Sequence, residues 1–203
     1  MEPTQTYIDH NKFFTSIRGA GKLFPTLTQR QTDRLNAYLT FAERLKLNKH
    51  WLAYIMATVY HETGVSINGV MQRFIPVEET GKGAKRPYGK RIKYDGKAYT
   101  DTNNLYYGRG DVQLTWYEVY QKAERVLAIK GLWANPAMAL EDATAMDIAV
   151  RGMIIGLFTG RKLSSYDNKD GTFNYKAARA IINGSDKADL IAGYAQKFYE
   201  AMS

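Results

Sequence analysis

Apolar side chains recur at helical spacing along most of this chain. Residues Asn11 to Gly19 predict a short helix. After Thr26-Leu27-Thr28-Gln29, positions Leu35, Tyr38, Leu39, Phe41 and Leu45 share a helical stripe, with Thr28 placed to accept from the free N–H groups of the first turn. Asn48 to Tyr60 differs. Trp51, Leu52, Tyr54, Ile55, Met56 and Val59 point nearly all round, which predicts a central helix buried on every face. Helical patterns return from about Asp111 to Ile129, Glu141 to Phe158, Tyr175 to Asn183 and Lys187 to Met202.

Residues Gly64 to Asn104 break this pattern. Gly, Pro, Lys and polar residues dominate, and "RIKYDGKAYT" sets Asp95-Gly96 between two short β-prone runs, a hairpin signal. Helices, then a loop with a hairpin, then helices again predict a mainly α fold: two helical lobes flanking a cleft, with a small β-hairpin wall. No repeat or low-complexity linker divides the chain, so residues 1–203 are expected to form a single domain with no separate binding module.

Composition narrows the chemistry. The chain has no cysteine, which excludes disulfides and thiolate metal sites and fits synthesis in a reducing compartment. No run of about 18 apolar residues occurs, so no membrane span is expected. Met1 to Tyr7 lacks the basic-then-apolar pattern of a signal peptide, so synthesis in the cytoplasm is expected. The net charge of +8 favours encounter with polyanions, either nucleic acid or an anionic cell envelope. No helix-turn-helix, zinc-finger or RNA-binding signature is present, which argues against nucleic acid. The densest basic run is Lys82, Lys85, Arg86, Lys90, Arg91 and Lys93. It reads either as a solvated loop or as a surface that holds the protein near envelope carboxylates. His10, His50 and His61 form no ligand set, and HExxH is absent because Gly64 and Val65 follow Thr63. "DNKDG", Asp167 to Gly171, lacks the distal glutamate of a calcium loop and reads as a turn. No metal and no cofactor are expected.

The apolar helix ends on an ionisable pair, His61-Glu62. A carboxyl at the mouth of a buried segment is partly desolvated, which favours its protonated form and suits a general acid. Read alone, Glu62 is equally a solvated residue at a helix end. "RFIPVEETGKG" adds Glu78 and Glu79. Two facing carboxyl groups are the usual equipment for cleaving a glycosidic bond: one protonates the leaving oxygen, the other activates water. "NLYYGRGDVQLTWYEVY" supplies aromatic rings, an arginine, an amide and a hydroxyl, a set suited to sugars. Its glycines do not form a phosphate loop, since neither GxGxxG nor GxxxxGK[ST] is present. For Tyr106, Trp116 and Tyr120, core packing is as plausible as ligand contact.

"HETG" at His61 to Gly64, "PVEE" at Pro76 to Glu79, "YYGRGDVQLTW" at Tyr106 to Trp116 and "ARAIINGSDKADLIAGYAQKF" at Ala178 to Phe198 occur in order. Together they resemble the family 19 chitinase-like hydrolases of the lysozyme superfamily, and among these the phage endolysins and prophage muramidases. The resemblance covers roughly Trp51 to Met202. It implies an α+β lysozyme-like fold and an inverting single displacement, with the two carboxyl groups about 6.5–9.5 Å apart. It makes Glu62 the general acid and places the second carboxylate at Glu79, with Glu78 the fallback. It assigns Thr115 to holding the attacking water. Gln113 and Asn183 match cleft-lining positions, while Tyr107 and Arg109 shape the wall. His61, beside the acid, joins the substrate-binding set, although as a residue it reads as a hydrogen-bonding group inside the fold.

The chain departs from the plant chitinases of that family. Asp111 and "TWYEVY" stand where those enzymes have Pro or Ala and "SHNYNY", and Val119 replaces a substrate-binding asparagine. These departures argue against chitin. The expected function is an endolysin hydrolysing peptidoglycan glycan strands, an N-acetylmuramidase for host cell lysis. It would be a monomer made in the host cytoplasm, released through a partner pore such as a holin, and active on the wall in the periplasm. It would not insert stably in a membrane, and an anionic outer envelope is a further candidate partner. A chitinase, a lytic transglycosylase and a non-enzymatic basic binding module are the alternatives. The insertion "GAKRPYGKRIKYDGKAYTDTNN" has no counterpart, and its role reads only as a lobe wall.

Overall fold

The computed structural model describes residues 8–203. The expectation for Met1 to Tyr7 lies outside them. The first three helices are α1, His10–Ile17, α2, Gln29–Arg44, and α3, Lys49–Glu62. Each starts where the sequence offers a cap. Asp9 accepts from the Lys12 amide at 3.0 Å, and Asn48 from the His50 amide at 2.7 Å. Thr28 and Gln31 form a reciprocal capping box.

Helix α3 runs through the middle of the first lobe. Every residue from Leu52 to Tyr60 is buried, as its all-round apolar pattern predicts. Its main partner is α6, Ala188–Ala201, which presents Ile191, Ala195 and Phe198 to it. Small residues on both helices, Ala53, Ala57 and Ala195, allow the axes to approach closely. Phe198 is the hub of the aromatic packing. It stacks on Phe13 of α1 at 6.4 Å and meets Tyr60 edge-on at 6.0 Å.

The second lobe contains α4, Tyr117–Leu127, and α5, Asp142–Ile155. Tyr99, Tyr106, Tyr117, Tyr120 and Trp133 pack there as one aromatic cluster. Tyr99 donates to the Asn104 carbonyl and Tyr106 to the Trp133 carbonyl, both at 2.9 Å, so their hydroxyls are not stranded in the core.

The β structure lies elsewhere than the sequence predicts. Strands β1, Val65–Ile67, and β2, Val70–Gln72, form an antiparallel hairpin around Asn68-Gly69. Both turn residues have positive φ, 51° and 78°, the geometry an Asn-Gly pair supplies cheaply. The Asp95-Gly96 segment turns as expected but holds only one bridge, Ile92 to Ala98. Its flanking aromatics are drawn off sideways: Tyr94 onto Trp116 and Tyr99 into the second lobe. A second ladder pairs β3, Val77–Glu78, with β4, Arg109–Gly110. It brings the two most motif-rich loops side by side.

Two helix expectations are corrected. The segment from Asp111 does not start a helix; α4 begins at Tyr117. Residues 109–114 close on themselves instead, with Arg109 and Leu114 exchanging backbone bonds at 3.2 and 2.9 Å. Asp111 turns inward rather than capping. It is buried against Arg34 and Tyr38, whose donors reach the same carboxylate oxygen at 2.5 Å each. Arg34 also donates to the carbonyls of Phe74 and Asp142, at 2.9 and 3.0 Å. One guanidinium thereby ties α2 to two loops and α5. The stretch from Tyr175 to Asn183 holds a short 3-10 helix, Ala177–Ile181, rather than an α-helix. Among the described residues, no helix is long and apolar enough to cross a membrane.

Candidate active-site cleft

A cleft of about 440 Å³ opens between the lobes. Glu62 reaches it from the last residue of α3. Gln113, Thr115 and Val119 line it from the segment that runs into α4, and Phe158, Thr159, Ile182 and Asn183 from the chain around α5 and the 3-10 helix. Arg86, Tyr88 and Tyr94 complete the lining. The insertion with no assigned role thus builds one face of the cleft.

Glu62 is not in the apolar setting that its sequence position predicts. Arg179 donates to its Oε1 at 2.6 Å, and the Glu62 side chain is 17% exposed. Arg179 is itself buried and anchored by its Nε to the Asp186 carbonyl at 2.9 Å. An arginine inside "AARAIING" is absent from the candidates named above, yet it carries a visible signal: a lone cation in a small, apolar run needs a buried partner.

Glu78 and Glu79 point to opposite sides of their strand, as alternation requires. Glu79 accepts from the Tyr88 hydroxyl at 3.1 Å and from the Gly108 amide at 3.0 Å. Glu79 is not itself among the described lining residues; it reaches the cleft surface through Tyr88, which lines it. Glu78 belongs to a different group. It accepts from the Tyr107 hydroxyl at 2.5 Å and lies 3.6 Å from both Arg109 and Lys82. Arg109 also packs over the Tyr107 ring at 3.6 Å. Tyr107 and Arg109 are buried and brace the β3–β4 ladder from behind; they are not part of the cleft lining.

The Tyr107 hydrogen bond is the main reason the Glu78 carboxyl sits below its ordinary 4.5; Lys82 and Arg109 add to it, against burial. A carboxyl depressed by folding contributes stability that is present above 4.5 and lost as the pH falls through the folded value. Tyr107→Phe should move the Glu78 titration back up toward 4.5, followed by carbon NMR, and should shallow the acid limb of a stability–pH curve.

His61 is half-buried beside Glu62. Burial pushes its imidazole below 6.5, partly offset by Glu62, so it is neutral at pH 7. Thr115 and Gln113 both face the cleft. Gln113 has φ 53° and donates to the Val77 carbonyl at 3.0 Å. Trp116 has φ 73°, an uncommon conformation for a bulky residue. Strain of this kind collects where a chain must hold a functional shape. Here it presents the Trp116 ring to the cleft, stacked on Tyr94 at 4.3 Å and edge-on to Tyr88 at 5.4 Å.

No family model and no curated protein matches this chain. Solved structures do. The crystal structure of chitinase C from Streptomyces griseus HUT6037 covers 100% of this chain and 95% of its own, at 23% identity and a TM-score of 0.57. A mutant of chitinase C covers the same shares at 21% identity, with a TM-score of 0.49. A bacterial family 19 chitinase covers 93% and 94% at 22% identity, with a TM-score of 0.39. The first likeness establishes the fold, mainly α and lysozyme-like; the other two are too distant to add to it.

Proposed function

We propose that this protein is a glycoside hydrolase acting on the glycan strand of bacterial peptidoglycan, an N-acetylmuramidase. One observation carries the reading. A carboxyl held by a buried arginine lies in a polar and aromatic cleft, and a second carboxylate is bound to a tyrosine of the same cleft. Glu62 would donate its proton to the leaving glycosidic oxygen, and Arg179 would receive the resulting carboxylate. Glu79 would take a proton from water positioned by Thr115, giving inversion in one displacement. Gln113 and Asn183 would meet sugar hydroxyl and acetamide groups.

The likeness to chitinase C supports a sugar polymer as substrate and keeps chitin as the second reading. Val119 speaks against it: it lines the cleft as an apolar residue where the plant chitinases place an asparagine. The +8 charge supports a polyanionic target. The biological role we infer is that of a phage-type endolysin, delivered to the wall through a partner pore such as a holin.

Mass spectrometry of products from purified murein tests the reading. Muramic acid at new reducing ends supports it. Anhydro-sugar ends would make the protein a lytic transglycosylase, and release from chitin oligomers alone would make it a chitinase. DNA retained at high salt with no digestion would leave only a binding module. Side-by-side variants test the carboxylates: Glu79→Gln should lower kcat on the order of 10²-fold, and Glu78→Gln far less. The reverse order would move the water-activating role to Glu78.

A further inference from the structure

Arg86 is a cation in the cleft with no carboxylate partner among the described residues. Glu62 is the only carboxylate among the described lining residues, and Arg179 already occupies it. Arg30, Arg34, Arg109, Arg151 and Arg179 have carboxylate partners; among the described residues Arg86 has none. A side chain in that state is available to a ligand.

Its backbone is fixed. Pro87 restricts the preceding residue to extended geometry, and Arg86 has φ −121° and ψ 151°. Its amide donates to the Gly83 carbonyl at 2.8 Å, and its carbonyl accepts from the Gly89 amide at 3.1 Å. Gly89 lies so close to the Gly83 backbone that no Cβ would fit there. Two residues on, Tyr88 touches both the Trp116 ring and Glu79. One tight turn thus sets a cation, an aromatic edge and a link to the second carboxylate in register.

We propose that Arg86 is a specificity-determining residue for an anionic saccharide. Its guanidinium pairs with a carboxylate carried on the 3-O-lactyl substituent of alternate sugars, while the Tyr94–Trp116 pair packs against a ring face. Chitin has no such carboxylate, so Arg86 favours one polymer over the other. This inference rests on the proposed muramidase function. The carboxylate has two possible sources: the lactyl group itself where the peptide stem is absent, or an acidic residue of the stem where it is present.

The test compares kcat/KM on native murein, on amidase-stripped glycan with free lactyl groups, and on both after their carboxylates are converted to amides. Wild-type protein should prefer a carboxylate-bearing substrate over its amidated form by about tenfold. The arm that shows the preference identifies the source. Arg86→Ala should bring that ratio close to one, chiefly through KM, and Arg86→Lys should restore part of it, since lysine keeps the charge but not the planar fork. An unchanged ratio in Arg86→Ala, or no preference in the wild type, would overturn the inference while leaving the muramidase reading standing. Wild-type protein that cuts no murein would overturn both.

Discussion

Glu62→Gln should lower kcat on murein by about 10³–10⁴-fold, toward the upper end of what a positioned proton donor contributes. Glutamine keeps the shape and still offers an oxygen to Arg179, so the cleft should stay assembled. It cannot donate the proton that a departing sugar oxygen needs. The loss of activity should therefore fall on kcat, with KM near wild type, while the melting temperature should drop by a few degrees because the buried Arg179 loses its charged partner. Two measurements decide it: turnover on purified sacculi, and calorimetry of the same preparations. Lysis at a normal rate by a folded Glu62→Gln protein would remove the general acid from the mechanism.

The second large effect concerns stability. Asp111→Asn should cost about 3 kcal/mol, the low end for breaking a buried ion pair, because it leaves the buried Arg34 guanidinium with only the more exposed Asp142 carboxylate, 3.0 Å away, as counter-charge. For a chain of this size that is a fall in Tm of roughly 6–12 °C. Burial pushes the Asp111 carboxyl up, and Arg34 opposes it. The pair is thus two costly groups that tolerate burial only together. Replacing both, Arg34→Met with Asp111→Leu, should be milder than Asp111→Asn alone if the lost charge balance is the cause. A double variant no better than the single one would point instead to the bonds from Arg34 to Phe74 and Asp142. Activity should fall as well, since this pair holds the loop from which Gln113 and Thr115 face the cleft.

Much of the architecture is legible in local pattern. Helix α3 declares itself because apolar residues on every side permit only a central position. Thr28, Asn48 and the stripe on α2 mark their own boundaries. What local pattern misreads are segments whose partners are far off in sequence. Asp111 looks like a helix start; its partner Arg34 lies 77 positions away and draws it inward. The turn at Asp95-Gly96 is real, but its aromatics leave for Trp116 and Tyr117, so no ladder forms. Asn68-Gly69 carries an equally good turn signal, but its flanking strands are only three residues each, too short to stand out as a pattern. Glu62, Gln113, Thr115 and Asn183 come from separate motifs and all line the cleft. Tyr107 and Arg109 share a motif with Gln113 yet serve as braces behind it, because the chain turns back between Arg109 and Leu114 and Gln113 sits inside that turn at positive φ. Tyr88 and Tyr94 depend on tertiary approach alone.

Arg179 follows Glu62 by 117 positions. A ribosome adding about 5–20 residues per second needs on the order of 6–25 s to travel between them. Throughout that interval the emerging chain holds its acidic group without the basic one that orients it. Under the proposed activity, a chain of this design is harmless until translation has passed Arg179 and gains its competence only afterwards.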